Sequence, residues 1–281
     1  MKFVLFETPG APARYGLLTP DGIFAADVST VDDSPQEMLQ HLIDSFDAFR
    51  SRRQALTSSA RPVPLDRVRL RPPVPRPGKI LVTTATYGGA ANPPPQLLMT
   101  LKSPESVIGP GDTIRLPATD ASWHFVPQAM LGLVIRGRAK DVAAVNWQSA
   151  VFGYTCVIDV MARGDQQFGR DFWLAKADTL GPLGPCIVTA DEIPDPSVLR
   201  VRSWQNGVAA QDFLIADASH SIADQVEFAT TVMTLHTGDV LACGTSPAGL
   251  RPLADGDQVE VEIDGIGNLA VNVAAAVRSV A

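Results

Sequence analysis

The chain has 281 residues and a formal net charge of −7. That length buries a sizeable core, as one large domain or a small domain joined to a larger one, and the negative balance without a basic stripe argues against binding a phosphate backbone. The opening stretch MKFVLFETPG is too short for a signal peptide and no run of about 18 apolar residues occurs, so the expectation is a cytoplasmic protein with neither membrane nor nucleic-acid partners.

With 22 glycines and 23 prolines, tight turns and short strands should dominate, which favours a β-rich fold. Phe3 to Phe6 and Tyr15 to Leu18 read as short strands separated by Gly and Pro turns. Ser34-Pro35-Gln36-Glu37 is a capping box with Pro at the first helical position, and Met38, Leu39, Leu42, Ile43, Phe46 and Phe49 then recur on one helical face. The stretch Arg71 to Gly78 carries four prolines, each fixing its own backbone and extending the residue before it. It marks a boundary between a small N-terminal domain, residues 1–72, and a larger domain, residues 73–281.

Beyond it, Ile80–Thr84, Ser106–Ile108, Leu131–Ile135, Val151–Val157, Ile187–Thr189, Val240–Cys243 and Val259–Ile263 read as strands. Their spacing suits an antiparallel or mixed sheet and not a Rossmann alternation. Helical patterns are confined to Val145–Ala150 and Ile222–Leu235, and Gly109 to Asp112, Thr237 to Asp239 and Asp255 to Asp257 are turns leading into strands. Cys156, Cys186 and Cys243 sit singly in apolar segments with no metal-ligand spacing, so they read as buried thiols.

Several of these segments share an order with one known family. Leu101-Lys102-Ser103-Pro104 followed by Ser106 to Asp112 resembles FLKP…SVIGPGD, and Gly153 to Arg163 resembles GYTVANDVSAR. Lys176-Ala177-Asp178-Thr179 with Gly181 to Pro185 resembles Lys-x-x-Asp-Thr…GPLGP, one residue short, and Gly238-Asp239-Val240 with Gly244-Thr245 resembles GDV…TGTP. From Lys79 onward the chain therefore resembles the fumarylacetoacetate hydrolase family. The resemblance implies a β-rich α+β fold, a mixed β-sandwich or β-roll with a small N-terminal α/β domain. It also implies a homodimer that hydrolyses or decarboxylates acylpyruvates and related oxo acids, using Mg²⁺ or Mn²⁺ held by two Glu and one Asp.

Carried over position by position, the Asp falls on Asp159, but the two Glu positions fall on Gln128 and Met130. A Gln carbonyl ligates a hard cation weakly and a thioether hardly at all. Tyr87 opens a loop resembling NYADHxxE, in which the base His falls on Ala90 and its Glu partner on Pro93; Asn and Ser beside the Asp have become Ile158 and Met161. The resemblance implies a metal cofactor, and the residues argue for none, unless His124 or Asp165 substitutes as ligand. Lys102, Lys176, Gln166 and Thr245 match positions that face substrate or line the metal pocket in the family.

The expectation is a metal-independent lyase, hydrolase or isomerase acting on a small keto or enol compound. Lys102, Asp159 and Lys176 are the catalytic candidates; Tyr87, Gln128, Met130, Ile158, Met161, Gln166 and Thr245 would line the substrate pocket. Two alternatives stand beside it: a non-catalytic ligand-binding or partner-stabilising homologue, and a metal enzyme with substitute ligands. A plainer reading of Asp159 and Lys176 is an ion pair that holds the core in register, and of Thr245 a turn hydroxyl. His124 reads as packed beside Trp123 and Phe125, and His236 as a residue suited to the C-terminal end of the later helix.

Overall fold

In the computed structural model, β1 (Lys2–Glu7), β2 (Arg14–Thr19) and β3 (Gly22–Ala25) form an antiparallel meander. The structure describes residues 1–26, 34–59, 61–84, 86–87, 96–120, 122–164 and 173–275. Ser34 begins α1 (Pro35–Asp44) through the expected capping box: its hydroxyl accepts the Glu37 amide and the Glu37 carboxylate accepts the Ser34 amide. The apolar face does not continue as one helix. At Ser45 the chain turns, with its N–H and hydroxyl both donating to the His41 carbonyl, and α2 (Phe46–Ser59) starts anew. The turn swings Phe46 into an edge-to-face contact with Phe152, ring centroids 5.1 Å apart.

The remaining elements follow in chain order: β4 (Arg69–Arg71), β5 (Ile80–Thr84), β6 (Leu98–Lys102), β7 (Val107–Ile108), β8 (Thr113–Leu116), β9 (His124–Ile135), β10 (Val151–Arg163) and β11 (Gly181–Thr189). After them come β12 (Arg200–Gln205), β13 (Val208–Leu214), α3 (Ile222–Val232), β14 (Val240–Ala242), β15 (Gln258–Ile263) and β16 (Gly267–Ala275). Among the described residues the strands make two mixed sheets. One runs β3-β2-β1-β11-β10-β9-β14-β5-β6, with β4 on β1 and β7 on β11; the other runs β13-β12-β15-β16-β8. The chain is thus β-rich α+β, as expected. The strands of residues 1–72 join the large sheet directly, β1 pairing β11 with Phe3 opposite Ile187.

The large sheet curls on itself. From β6 the chain turns through Pro104–Ser106 into β7, which lies parallel to β11 with Val107 opposite Gly181. Strand β6, at one end of the sheet order, therefore comes back beside β10 and β11. This return is what brings residues from distant strands into one site.

Side chains alternate along β9 and β10. Ala129, Leu131 and Leu133 with Cys156, Ile158 and Val160 enter the core that also takes Val201, Val261 and Leu269 from the second sheet. Met130, Val134 and Val157 enter a separate cluster with Phe3, Leu39, Leu42 and Ile80. Strand β9 starts seven residues before the expected Leu131, because Pro127 interrupts the sequence pattern without breaking the ladder. Its partner Val160 sends its N–H to Leu180 on the other side, and nothing across the ladder needs the donor that proline lacks.

Helix α3 ends at Val232, short of the expected Leu235. His236 lies beyond it, and Lys140 instead donates to the carbonyls of Thr230 and Thr231 at 3.1 and 2.7 Å. All three cysteines are free and buried, and burial raises each thiol above its ordinary value, Cys186 to about 11. No helix among the described residues is long and apolar enough to cross a membrane.

Candidate active site

Strands β9 and β10 run antiparallel with Gln128 directly opposite Asp159 and Met130 opposite Val157. Directly opposed residues share a face, so Gln128, Met130 and Asp159 lie on the same side of the sheet. Lys102, the last residue of β6, reaches them because of the curl: its Nζ lies 2.5 Å from Asp159 Oδ1 and 3.3 Å from the Val160 carbonyl. Both side chains are only 2% exposed. Gly181 makes room, since a Cβ there would meet Ser106 Oγ at 2.6 Å and Lys102 Cε at 3.3 Å.

Lys176 comes from the segment before β11, and its Nζ donates to Thr100 Oγ1 at 2.9 Å. The expected Asp159–Lys176 ion pair is therefore not the one formed: Lys102 takes the carboxylate. Burial holds the Lys176 ammonium below the usual lysine range; Asp159 pulls it back up and Lys102 pushes it further down. Asp159 Oδ2 is buried and has no hydrogen-bond partner among the described residues. Neither does the Gln128 amide, which is 8% exposed.

Thr245 follows β14 and accepts a hydrogen bond from Gln211 Nε2 at 2.8 Å. Tyr87 follows β5; it is buried, packs edge-to-face on Phe213 at 4.9 Å, and its hydroxyl has no partner among the described residues. Burial, with Cys243 and Asp217, pushes its phenol well up.

Two residues expected at the pocket are placed otherwise. Ile158 is fully buried on the opposite face of β10 from Asp159, in the core between the sheets, because adjacent residues of a strand alternate sides. Met130 is on the Asp159 side but only 1% exposed, packed in the cluster of Ile80, Val134 and Leu183, so it acts as core. Met161 is partly buried two residues after Asp159. Gln166 and Asp165, with Ala90 and Pro93, lie outside the described residues. Thr100 and Gln211 were missed in the sequence. A Thr in an alternating strand and a Gln on β13 carry no motif, and their relevance appears only through the lysine and threonine they bind.

The resemblance implies a divalent ion, which the donor set here would have to hold. Mg²⁺ and Mn²⁺ ask for several hard oxygen ligands. Asp159 offers one free oxygen, its other being committed to Lys102; Gln128 offers an amide carbonyl; Met130 is a buried thioether. Among the described residues no group of three or more His, Cys, Asp and Glu would hold a metal. His124 is exposed at the start of β9, four residues and about 13 Å of strand from Gln128. The described residues do not fit the ion.

Similarity to known proteins agrees with the fold. The fumarylacetoacetate hydrolase C-terminal family model matches residues 82–274. The mitochondrial oxaloacetate tautomerase Fahd2a of Rattus norvegicus is 30% identical over 284 residues, covering 95% of this chain and 90% of that protein. The crystal structure of maleylpyruvate hydrolase from Sphingobium sp. SYK-6 with manganese(II) and pyruvate superposes with a TM-score of 0.86 at 32% identity, covering 99% of this chain and all (100%) of the other. The 5-carboxymethyl-2-hydroxymuconate delta-isomerase of Mycobacterium smegmatis gives a TM-score of 0.78 at 30% identity, again over 99% of this chain.

Proposed function

Because the chain belongs to the fumarylacetoacetate hydrolase family, a family of enzymes, we propose that it interconverts the keto and enol forms of a small 2-oxo acid without a divalent metal. The observation that carries this reading is the buried Lys102–Asp159 pair with Lys176 beside it, at the place where the resemblance expects a metal. Two lysines supply positive potential there, and a fixed ammonium in a water-poor cavity stabilises a developing enolate.

Asp159 is the proton-transfer group, through the Oδ2 that has no partner of its own among the described residues. It accepts the proton from the carbon next to the carbonyl as the C–H pair moves into the C=C bond. The carbonyl oxygen takes its proton from the Lys176 ammonium, and the reverse sequence restores the ketone. Lys102 holds the Asp159 carboxylate in place; the Gln128 amide and the Thr245 hydroxyl are donors for the substrate carboxylate. Oxaloacetate is the first substrate to assay, since the tautomerase relatives match across nearly the whole chain. Hydrolysis or decarboxylation of the same class of acid is the finer alternative within this reading.

The decisive assay follows oxaloacetate keto–enol exchange, and acylpyruvate hydrolysis in parallel, with and without chelator. Turnover that survives chelation and falls by roughly 10²-fold or more in Lys176→Met supports the proposal; turnover abolished by chelator sinks it. A second reading, a ligand-binding homologue without turnover, draws on the enclosure of the Lys102–Asp159 pair, which also suits a purely structural lock. Binding of 2-oxo acids with no exchange would favour it. The homodimer that the resemblance implies is part of the proposal, and sedimentation equilibrium tests it.

A further inference from the structure

Strand β14 covers β9 over residues 132–134, Cys243 N–H extends the contact to the Leu131 carbonyl, and the next backbone contact along β9 is Leu253 N–H to the Phe125 carbonyl. Between those two contacts the amide of Ala129 faces the vacated side of β9. A buried N–H without a partner costs about 1–3 kcal/mol. The group that meets it is a side chain from the other sheet: Gln211 of β13, 3% exposed, accepts the Ala129 N–H at its Oε1 at 3.0 Å.

The same amide group donates from Nε2 to Thr245 Oγ1 at 2.8 Å and to the Ser246 carbonyl at 2.6 Å. Gln211 is itself held by Ser203 of β12, whose Oγ accepts the Gln211 N–H at 3.1 Å and lies 3.5 Å from Oε1. One side chain thus replaces the missing strand between β9 and the segment after β14, and it is anchored in the second sheet. Its partners are the amide of Ala129, which precedes Met130 and follows Gln128, the Thr245 hydroxyl and the Ser246 carbonyl.

We infer that Gln211 is a positioning residue for the proposed site, fixing the backbone beside Gln128 and the hydroxyl of Thr245 relative to one another. It touches no reacting atom. A glutamine suits the task because it presents an acceptor and two donors in one plane; leucine or methionine would fill the volume and leave Ala129 N–H and the Ser246 carbonyl unpaired. The kinetic consequence rests on the proposed function, whereas the local geometry does not.

The test compares wild type, Gln211→Met, Gln211→Glu and, as a stability-matched control, Val271→Ala in the second-sheet core. In Gln211→Met, amide exchange at Ala129 measured by NMR rises roughly tenfold against Leu133 on the same strand, and the Thr245 methyl and Gln128 side-chain amide signals shift. The KM for oxaloacetate rises about tenfold with kcat within about twofold, the signature of lost binding. Gln211→Glu keeps an acceptor for Ala129 and protects that amide, yet it still raises KM through Thr245; it also serves if Gln211→Met does not fold. Unchanged Ala129 exchange and unchanged Thr245 and Gln128 signals would overturn the inference, as would an equal KM rise in Val271→Ala. If wild type turns over no 2-oxo acid, the proposed function fails, and the exchange and signal shifts decide on Gln211 alone.

Discussion

Asp159 is bound by Lys102 and not by Lys176. The carboxylate sits 2.5 Å from Lys102 Nζ, while Lys176 Nζ turns to the Thr100 hydroxyl at 2.9 Å. The two lysines thereby take different tasks: one is a fixed counter-ion, and the other is a cation without a carboxylate of its own among the described residues.

Removing the counter-ion should therefore be costly. Both side chains are 2% exposed, so Lys102→Met leaves a buried, uncompensated carboxylate and should lower stability by about 3–5 kcal/mol in urea unfolding. The double variant Lys102→Met with Asp159→Asn should recover a good part of that loss. Losses that simply add would show that the pair is not coupled.

Lys176 sets a pH dependence of the opposite sense to an ordinary ion pair. Its folded pKa lies below the unfolded value, chiefly through burial, so between those two values the unfolded chain binds the extra proton and stability rises with pH. Below the folded value the lysine is charged in both states and its full penalty is present. Lys176→Met should lack the increment of stability that wild type gains as pH rises toward about 10.5, so the difference curve against wild type should slope across that window. A difference curve flat across that window would contradict the assigned environment.

Gly244 should tolerate no side chain. Its φ is +81° and a Cβ would fall 1.8 Å from Thr86 Oγ1, combining left-handed backbone strain with a clash against a buried residue. Gly244→Ala is expected to cost about 2–4 kcal/mol and to displace Thr245, raising KM. Thr86→Gly in the same chain should relieve the clash and leave the backbone strain, giving partial recovery of the melting temperature.

Rebuilding the carboxylates tests the metal argument from the other side. The wild-type chain should show no thermal shift with Mn²⁺ or Mg²⁺. Gln128→Glu with Met130→Glu restores the donor set, and because Met130 is 1% exposed, it should destabilise the metal-free protein by several kcal/mol. Added Mn²⁺ should then raise its melting temperature in a concentration-dependent way. A Mn²⁺ shift in wild type would mean that residues outside those described complete a site.

Legibility of the fold varied with the local physics. The capping box at Ser34 and Glu37 and the strand at Ile80–Thr84 were readable because each rests on neighbours in sequence. The break at Ser45 was not, since Phe46 keeps its apolar face on either side of it and only its contact with Phe152 requires the turn. Strand β6 was missed for a related reason: Leu98 and Leu101 are exposed while Lys102 is buried, the reverse of the usual signal. Within the site, Asp159, Lys102 and Lys176 were named from sequence, but their pairing was not, and Ile158 was placed on the wrong face of its strand.

The sequence by itself determined the family, the β-rich fold and the loss of two carboxylates at Gln128 and Met130, because motif order and residue identity are properties of the chain alone. Only the tertiary structure decided which lysine meets Asp159, that Met130 is core, and that Gln211 bridges β9 to Thr245. These depend on the curl that returns β6 to β10 and on the packing of one sheet against the other. Such contacts join residues 34 to 82 positions apart, and hydrophobic periodicity carries information only over neighbouring turns and strands.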